Sequence, residues 1–205
     1  AGLAKQKNLA TMQSLTEIKS KGFEEVISIS CGSNSIFGLN KYGQVRQVSD
    51  LLSTTDDYYP WGKDSSMPNA INGHVVAIAA GGKHTLALLR NGTVAAWGDN
   101  SGGQCTVPEG LKNVVSVAAG KSHSMALTVE GKVVAWGDNS RGQTNVPSRL
   151  PEAVAIHANP DSYWSFATIK DGRIATWGKG GVSSDMKQGR YGRELLETAK
   201  IPLEL

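Results

Sequence analysis

The chain has 205 residues, with 21 Lys and Arg against 18 Asp and Glu for a formal net charge of +3, and it contains 24 glycines and two cysteines. This length admits one domain of ordinary size with its own core and excludes a disulfide-stapled miniprotein. Hydrophobic residues at 40% and charged residues at 19% exclude a disordered chain. No dense Lys/Arg block and no run of about 18 apolar residues is present, so neither nucleic acid nor a membrane is expected as a partner.

In chain order, Ala1 to Lys5 show no apolar signal core, which predicts cytoplasmic synthesis without export. Leu9, Met12, Leu15 and Ile18 recur at three-residue spacing among good helix formers. They predict a short amphipathic helix that stops before Gly22, so residues 1–22 are expected to form an N-terminal helical arm.

From residue 23 the chain repeats itself. Val76 to Gly103 lies over Val115 to Gly142 at a constant offset of 39, matching His84 to His123, Trp97-Gly98 to Trp136-Gly137, Asp99-Asn100-Ser101 to Asp138-Asn139-Ser140, and Gln104 to Gln143. A third copy runs from Val154 to Gly178 with two residues inserted near Asn159-Pro160-Asp161. A more diverged copy precedes the pair, with Ile27, Ile29, Gly32, Phe37, Leu39, Gly43 and Val45 matching at an offset of 49. Its Trp61-Gly62 implies a 13-residue insertion around Val48 to Pro60.

Each copy reads as three short strands. Val75 to Ala80, Thr85 to Leu89 and Thr93 to Trp97 are apolar runs, and Tyr42-Gly43, Asn91-Gly92, Glu130-Gly131 and Asp171-Gly172 supply hairpin turns that tolerate positive φ. Near-continuous apolarity means that both faces of each sheet are covered. The fold class is therefore all-β, a β-propeller or partial propeller of about four blade-like repeats. The expected domains are the arm at 1–22, a repeat domain at 23–178 with blades at about 23–72, 73–112, 113–151 and 152–178, and a C-terminal tail at 179–205.

The series Ala-Ala-Gly, His-Ser or His-Thr, a Gly hairpin, Val-x-x-Trp-Gly-Asp-Asn and Gly-Gln-x-x-Val-Pro resembles the regulator-of-chromosome-condensation repeat over residues 23 to 178. Its short, Val-Pro-ended form is similar to that of propeller-type β-lactamase inhibitor proteins. The chain departs from those relatives in carrying four copies, whereas they close a ring with seven blades. The resemblance implies a non-catalytic surface that binds another macromolecule; nucleotide exchange, which needs the whole ring, is not carried over.

Candidate chemistry is weighed on the same repeat. His84 and His123 hold one repeat position, as buried imidazoles bonded to backbone would, and His74 and His157 have no matching partners, so no metal site is expected. Asp99-x-Ser101 and Asp138-x-Ser140 lack the closing Glu of a calcium loop and predict Asx turns. Trp61, Trp97, Trp136 and Trp177 recur once per blade, as inter-blade packing requires. Cys31 and Cys105 have no neighbour at metal-ligand or redox spacing, and neither a nucleophile elbow nor a phosphate loop occurs. No enzyme activity, cofactor or metal is expected.

Specificity should lie where the repeat breaks. The insertion carries Tyr58 and Tyr59 beside Asp56 and Asp57, and the third copy places Tyr163-Trp164 where the others have Lys83-His84 and Ser122-His123. In the inhibitor-type relatives this turn carries exposed aromatics, so the resemblance implies a partner-binding set of Lys83, Ser122, Tyr163 and Trp164, with Tyr58 and Tyr59 as the second candidate. A competing reading has Trp164 fill the histidine pocket. The expected function is a non-enzymatic protein-binding or assembly module that self-associates or joins a larger assembly. The alternatives are a structural component of a large particle such as a bacteriophage virion, into which the chain would be incorporated, and a proteinaceous enzyme inhibitor.

Overall fold

The computed structural model describes residues 25–33, 35–48 and 67–178. Among these residues, twelve strands form four three-stranded antiparallel sheets, each a meander of consecutive strands. Sheet 1 holds β1 (Val26–Cys31), β2 (Ile36–Asn40) and β3 (Val45–Val48). Sheet 2 holds β4 (Val75–Ala80), β5 (His84–Leu89) and β6 (Val94–Gly98). Sheet 3 holds β7 (Val114–Ala119), β8 (His123–Thr128) and β9 (Val133–Gly137), and sheet 4 holds β10 (Ala153–Ala158), β11 (Trp164–Ile169) and β12 (Ile174–Gly178). The all-β repeat fold thus stands as read. The N-terminal helix, Trp61 and most of the insertion lie outside the described residues.

The second hairpin of every sheet turns on Gly43, Gly92, Gly131 or Gly172, whose φ values of 75°, 76°, 74° and 85° lie in the left-handed region. The first hairpin carries a register shift at the same place four times, between Val26 and Ser28, Val75 and Ala77, Val114 and Ser116, and Ala153 and Ala155. The extra residue of a bulge is left unpaired. Here it is Ile27, Val76, Val115 or Val154, and each of the four is exposed.

The sheets stack face to face, and strand alternation fixes which side chain meets which neighbour. Phe37, Leu39 and Val45 of sheet 1 pack against Val75, Ile78, Ala87 and Trp97 of sheet 2. On the other face of sheet 2, Leu86 and Leu88 pack against Val114, Ala126 and Trp136 of sheet 3. Met125, Leu127 and Val133 then pack against Ile156, Ala167, Ile169 and Trp177 of sheet 4. Among the described residues no buried cluster joins sheet 4 to sheet 1, so the four blades form an arc with one open face at each end.

Candidate functional site

Two of the three junctions between blades, that of sheet 2 with sheet 3 and that of sheet 3 with sheet 4, are built from a repeated relay. His84 Nε2 lies 3.0 Å from Ser124 Oγ of the next sheet, and Ser124 Oγ donates to the Gln104 carbonyl at 2.7 Å. Trp136 Nε1 donates to that same carbonyl at 3.0 Å. One junction later, His123 Nε2 lies 2.9 Å from Ser165 Oγ, which donates to the Gln143 carbonyl at 2.7 Å, and Trp177 Nε1 donates to it at 2.9 Å. Each serine spends its only hydrogen on a carbonyl, so the imidazole Nε2–H is the donor and Nδ1 is the unprotonated nitrogen. The sequence expectation is a bond to backbone; the side-chain contact of each ring is to a hydroxyl of the following blade, which in turn reaches backbone.

Both Nδ1 atoms are buried without a hydrogen-bond partner. Burial pushes the imidazoles of His84 and His123 down to about 4, against a smaller upward pull from Asp99 and Asp138 respectively; the His84 charge lowers His123 further. The rings lie over the turn before them, where a Cβ on Gly81 would stand 2.8 Å from His84 Nδ1. That close approach explains the Ala-Ala-Gly end of the first strand in sheets 2 and 3. Neutral, enclosed and already bonded, these histidines are parts of the junction.

The Asx turns form as expected. Asp99 Oδ1 accepts from Ser101 N at 3.1 Å and Oδ2 from Gln104 Nε2 at 3.0 Å; Asp138 repeats this with Ser140 N at 3.0 Å and Gln143 Nε2 at 2.8 Å. Gln104 and Gln143 are almost wholly buried. Their central role was missed in the sequence, although their recurrence after Trp-Gly-Asp-Asn-Ser was the available signal.

Lys83, Ser122 and Tyr163 hold one register position, immediately before the second strand. Asp99 N donates to the Lys83 carbonyl at 2.8 Å and Asp138 N to the Ser122 carbonyl at 2.9 Å. The turns themselves are tied together: Ser33 N donates to the Gly81 carbonyl, Gly82 N to Gly120, and Lys121 N to Ser162. Three of the six predicted contact residues, Lys83, Ser122 and Tyr163, therefore line one rim. Tyr163 is half-buried there, with Lys121 Nζ 5.1 Å and Arg141 Cζ 5.9 Å from its ring centroid. Lys83, Lys121 and Arg141 are exposed.

The two residues inserted in the third first-hairpin turn reach across this rim, as Ser33 Oγ donates to Asp161 Oδ1 at 2.6 Å and to the Pro160 carbonyl at 3.1 Å. That bridge joins the inner ends of sheets 1 and 4, and nothing in the sequence announced it. Trp164 holds the register position of His123, opposite Gly178 as His123 is opposite Gly137. It fills no histidine pocket, because no fifth sheet stands against it among the described residues, and it stays half-buried on the open face. Tyr58 and Tyr59 lie outside the described residues. Among the described residues, no three His, Cys, Asp or Glu side chains come together as a metal site would require.

Residues 75–104 and 114–143 match the family profile described as the regulator of chromosome condensation (RCC1) repeat. A search of curated protein sequences finds no match. Among solved structures, yeast RCC1 (Prp20) bound to Kap60 superposes with a TM-score of 0.56 at 21% identity, over 77% of this chain and 44% of that one. Prp20p from Saccharomyces cerevisiae, reported with its binding properties to Gsp1p and histones, gives 0.58 at 21% identity over 77% and 47%. Human WBSCR16 gives 0.58 at 22% identity over 75% and 48%. The chain thus spans about half the length of these structures, and the likeness is one of fold.

Proposed function

For a chain that carries RCC1-type repeats, folded as four consecutive blades, we propose a non-enzymatic protein-binding module whose contact surface is the rim of Lys83, Ser122 and Tyr163. The observation that carries this reading is Tyr163, a half-buried amphipathic ring on the rim with Lys121 and Arg141 of the preceding sheet beside it. The nearby carboxylates are engaged: Asp99 and Asp138 in their Asx turns, Asp161 by Ser33. These bonds fix the three carboxylates in their turns without removing their charge, and the exposed Lys83, Lys121 and Arg141 beside Tyr163 are the groups that an acidic protein segment would meet. That a yeast relative of this fold is described bound to Kap60, and with binding properties to Gsp1p and histones, supports protein as the partner class.

A non-catalytic role fits the chemistry of the best candidates. His84 and His123 are enclosed and bonded across the junctions, and burial, helped by Asp99, pushes the Cys105 thiol up to about 11, far from the thiolate a nucleophile needs. The test is binding of the full chain to a peptide array graded in Asp and Glu content. Acidic peptides should be retained and lost with rising salt, and Tyr163→Ala with Lys83→Ala should weaken retention by about 2 kcal/mol, roughly 30-fold. Equal retention by the double variant would move the site off this rim.

A further inference from the structure

The arc leaves two sheet faces without a neighbour among the described residues, and their residues correspond one to one with those at the three internal junctions. On sheet 4, Trp164, Phe166 and Thr168 are only half-buried where His123, Met125 and Leu127 of sheet 3 are buried, and Ile174 is 37% exposed where Val133 is 6%. On sheet 1, Val26, Ile29 and Ile36 are half-buried where their counterparts Val75, Ile78 and Thr85 are buried. One face is the following side of a blade and the other is the preceding side of a blade. They are the two halves of one more junction.

We propose that the open face of sheet 4 docks on the open face of sheet 1 of a second copy, head to tail, and that the reciprocal contact closes a two-copy ring of eight sheets. Continuity with the internal junctions supplies the geometry, since three successive blade pairs in this chain already stack this way. Complementarity selects the occupant. Inside the chain the pair at the centre of the junction is polar, His84 with Ser124 and His123 with Ser165. At the open ends both members have turned apolar together: Trp164 stands in the histidine position and Ile36 in the hydroxyl position. A histidine facing Ile36 would leave its buried Nε2–H without the hydroxyl acceptor it has inside the chain, whereas Trp164 brings an apolar ring with a single indole N–H to place. Two arcs of four sheets supply eight blades, a number within the usual propeller range. This proposal does not rest on the rim, which lies at the turns and stays accessible in either state.

Sedimentation of the full chain at micromolar concentration tests it, with melting curves to show that every variant is folded. The wild-type chain should sediment at twice its 21.7 kDa mass. Trp164→Lys alone and Ile36→Asp alone should each weaken the dimer by at least about 100-fold, because each buries a lone charge. An equimolar mixture of the two should dimerise again, since the introduced ammonium then meets the introduced carboxylate at one junction and the native pair meets at the other; both changes in one chain should do the same. A wild-type monomer would overturn the proposal, as would a folded mixture that fails to reassociate. If Trp164→Lys dissociates the dimer while Ile36→Asp does not, two sheet-4 faces meet each other and the head-to-tail assignment is wrong. If the chain is monomeric and radical footprinting finds Trp164 protected until residues 179–205 are removed, that segment is the occupant instead.

Discussion

The middle strands β8 and β11 share a repeat position and similar apolar content, His-Ser-Met-Ala-Leu-Thr against Trp-Ser-Phe-Ala-Thr-Ile, yet they are buried differently. Every residue of β8 is buried, whereas β11 alternates between half-buried and buried along its whole length. The alternation comes from the neighbours: sheet 3 has a blade on each face and sheet 4 has one. A blade sequence is written for two neighbours, and β11 still carries Trp164 and Phe166 on the side where the described residues supply none. The comparison separates what the repeat encodes from what the assembly completes.

The largest effect that would break this comparison is expected at the junction tryptophans. Trp136 is 7% exposed and donates across the junction to Gln104, so Trp136→Ala should cost about 3 to 5 kcal/mol in urea unfolding. Trp164→Ala, at the open face, should cost less than half of that when measured at a protein concentration low enough to keep the chain dissociated. Equal losses would mean that sheet 4 is covered as fully as sheet 3.

The next effect is on pH. His84 and His123 are held near 4 in the folded chain and titrate near 6.5 when it unfolds, so the unfolded chain binds more protons between these values. Their contribution is complete above about pH 6.5 and is lost as pH falls toward 4, by roughly 3 kcal/mol for each group at most. Melting temperatures measured between pH 7 and 4 should fall accordingly, and the variant His84→Gln should flatten the slope. A melting temperature that is flat over this range, with unfolding still reversible, would show that water reaches the two rings. Sheet 1 carries Ser35 and sheet 4 Trp164 at this position, so the histidine contribution belongs to the junctions of sheet 2 with sheet 3 and of sheet 3 with sheet 4.

The blades were legible because Trp-Gly, the hairpin glycines and Asp-Asn-Ser recur within each repeat at fixed spacing. The junction chemistry was not. His84 and Ser124 are 40 residues apart, and His123 and Ser165 are 42 apart, so self-comparison lays histidine on histidine and serine on serine without showing that one faces the other. The rim set of Lys83, Ser122 and Tyr163 was placed by the same register argument and does share one register position in the fold. What held Tyr163 in place was hidden, because Lys121 and Arg141 come from a different sheet's turns. The Ser33–Asp161 bridge spans 128 residues and depends on the curvature of the whole arc, a property no single repeat contains.

A smaller effect sharpens the relay itself. Ser124→Ala removes the acceptor of His84 Nε2–H inside a closed junction, and the stranded donor should cost about 1 to 3 kcal/mol. Ser101→Ala, which removes an exposed hydroxyl contact to Asp99 in a turn, should stay within about 0.5 kcal/mol. A Ser124→Ala loss as small as that of Ser101→Ala would show that Ser124 Oγ does not organise the junction. Ser165→Ala is the matching change one junction along, and it should resemble Ser124→Ala because its bonds have the same geometry.

The smallest expected effect is none at all, on treatment with a chelator. The Asp-Asn-Ser turns place carboxylates at one position of successive blades, where a divalent cation could be imagined to staple the rim. The oxygens are already committed: Asp99 Oδ1 to Ser101 N, Asp99 Oδ2 to Ser101 Oγ and Gln104 Nε2, and Asp138 to the same set one repeat later. A hard cation needs six to eight oxygens, roughly, and would have to break these bonds to collect even two from each turn. Gln104 and Gln143 would then lose the partner of a buried amide, at a cost that falls directly on the junction below. EDTA should therefore leave the melting temperature unchanged to within about 1 °C, with calcium or zinc added back producing no rise. A fall on chelation that calcium restores would relocate the stabilising contact from Gln104 and Gln143 to a bound ion, and the inner junctions would then differ from the open face by a metal as well as by a neighbour.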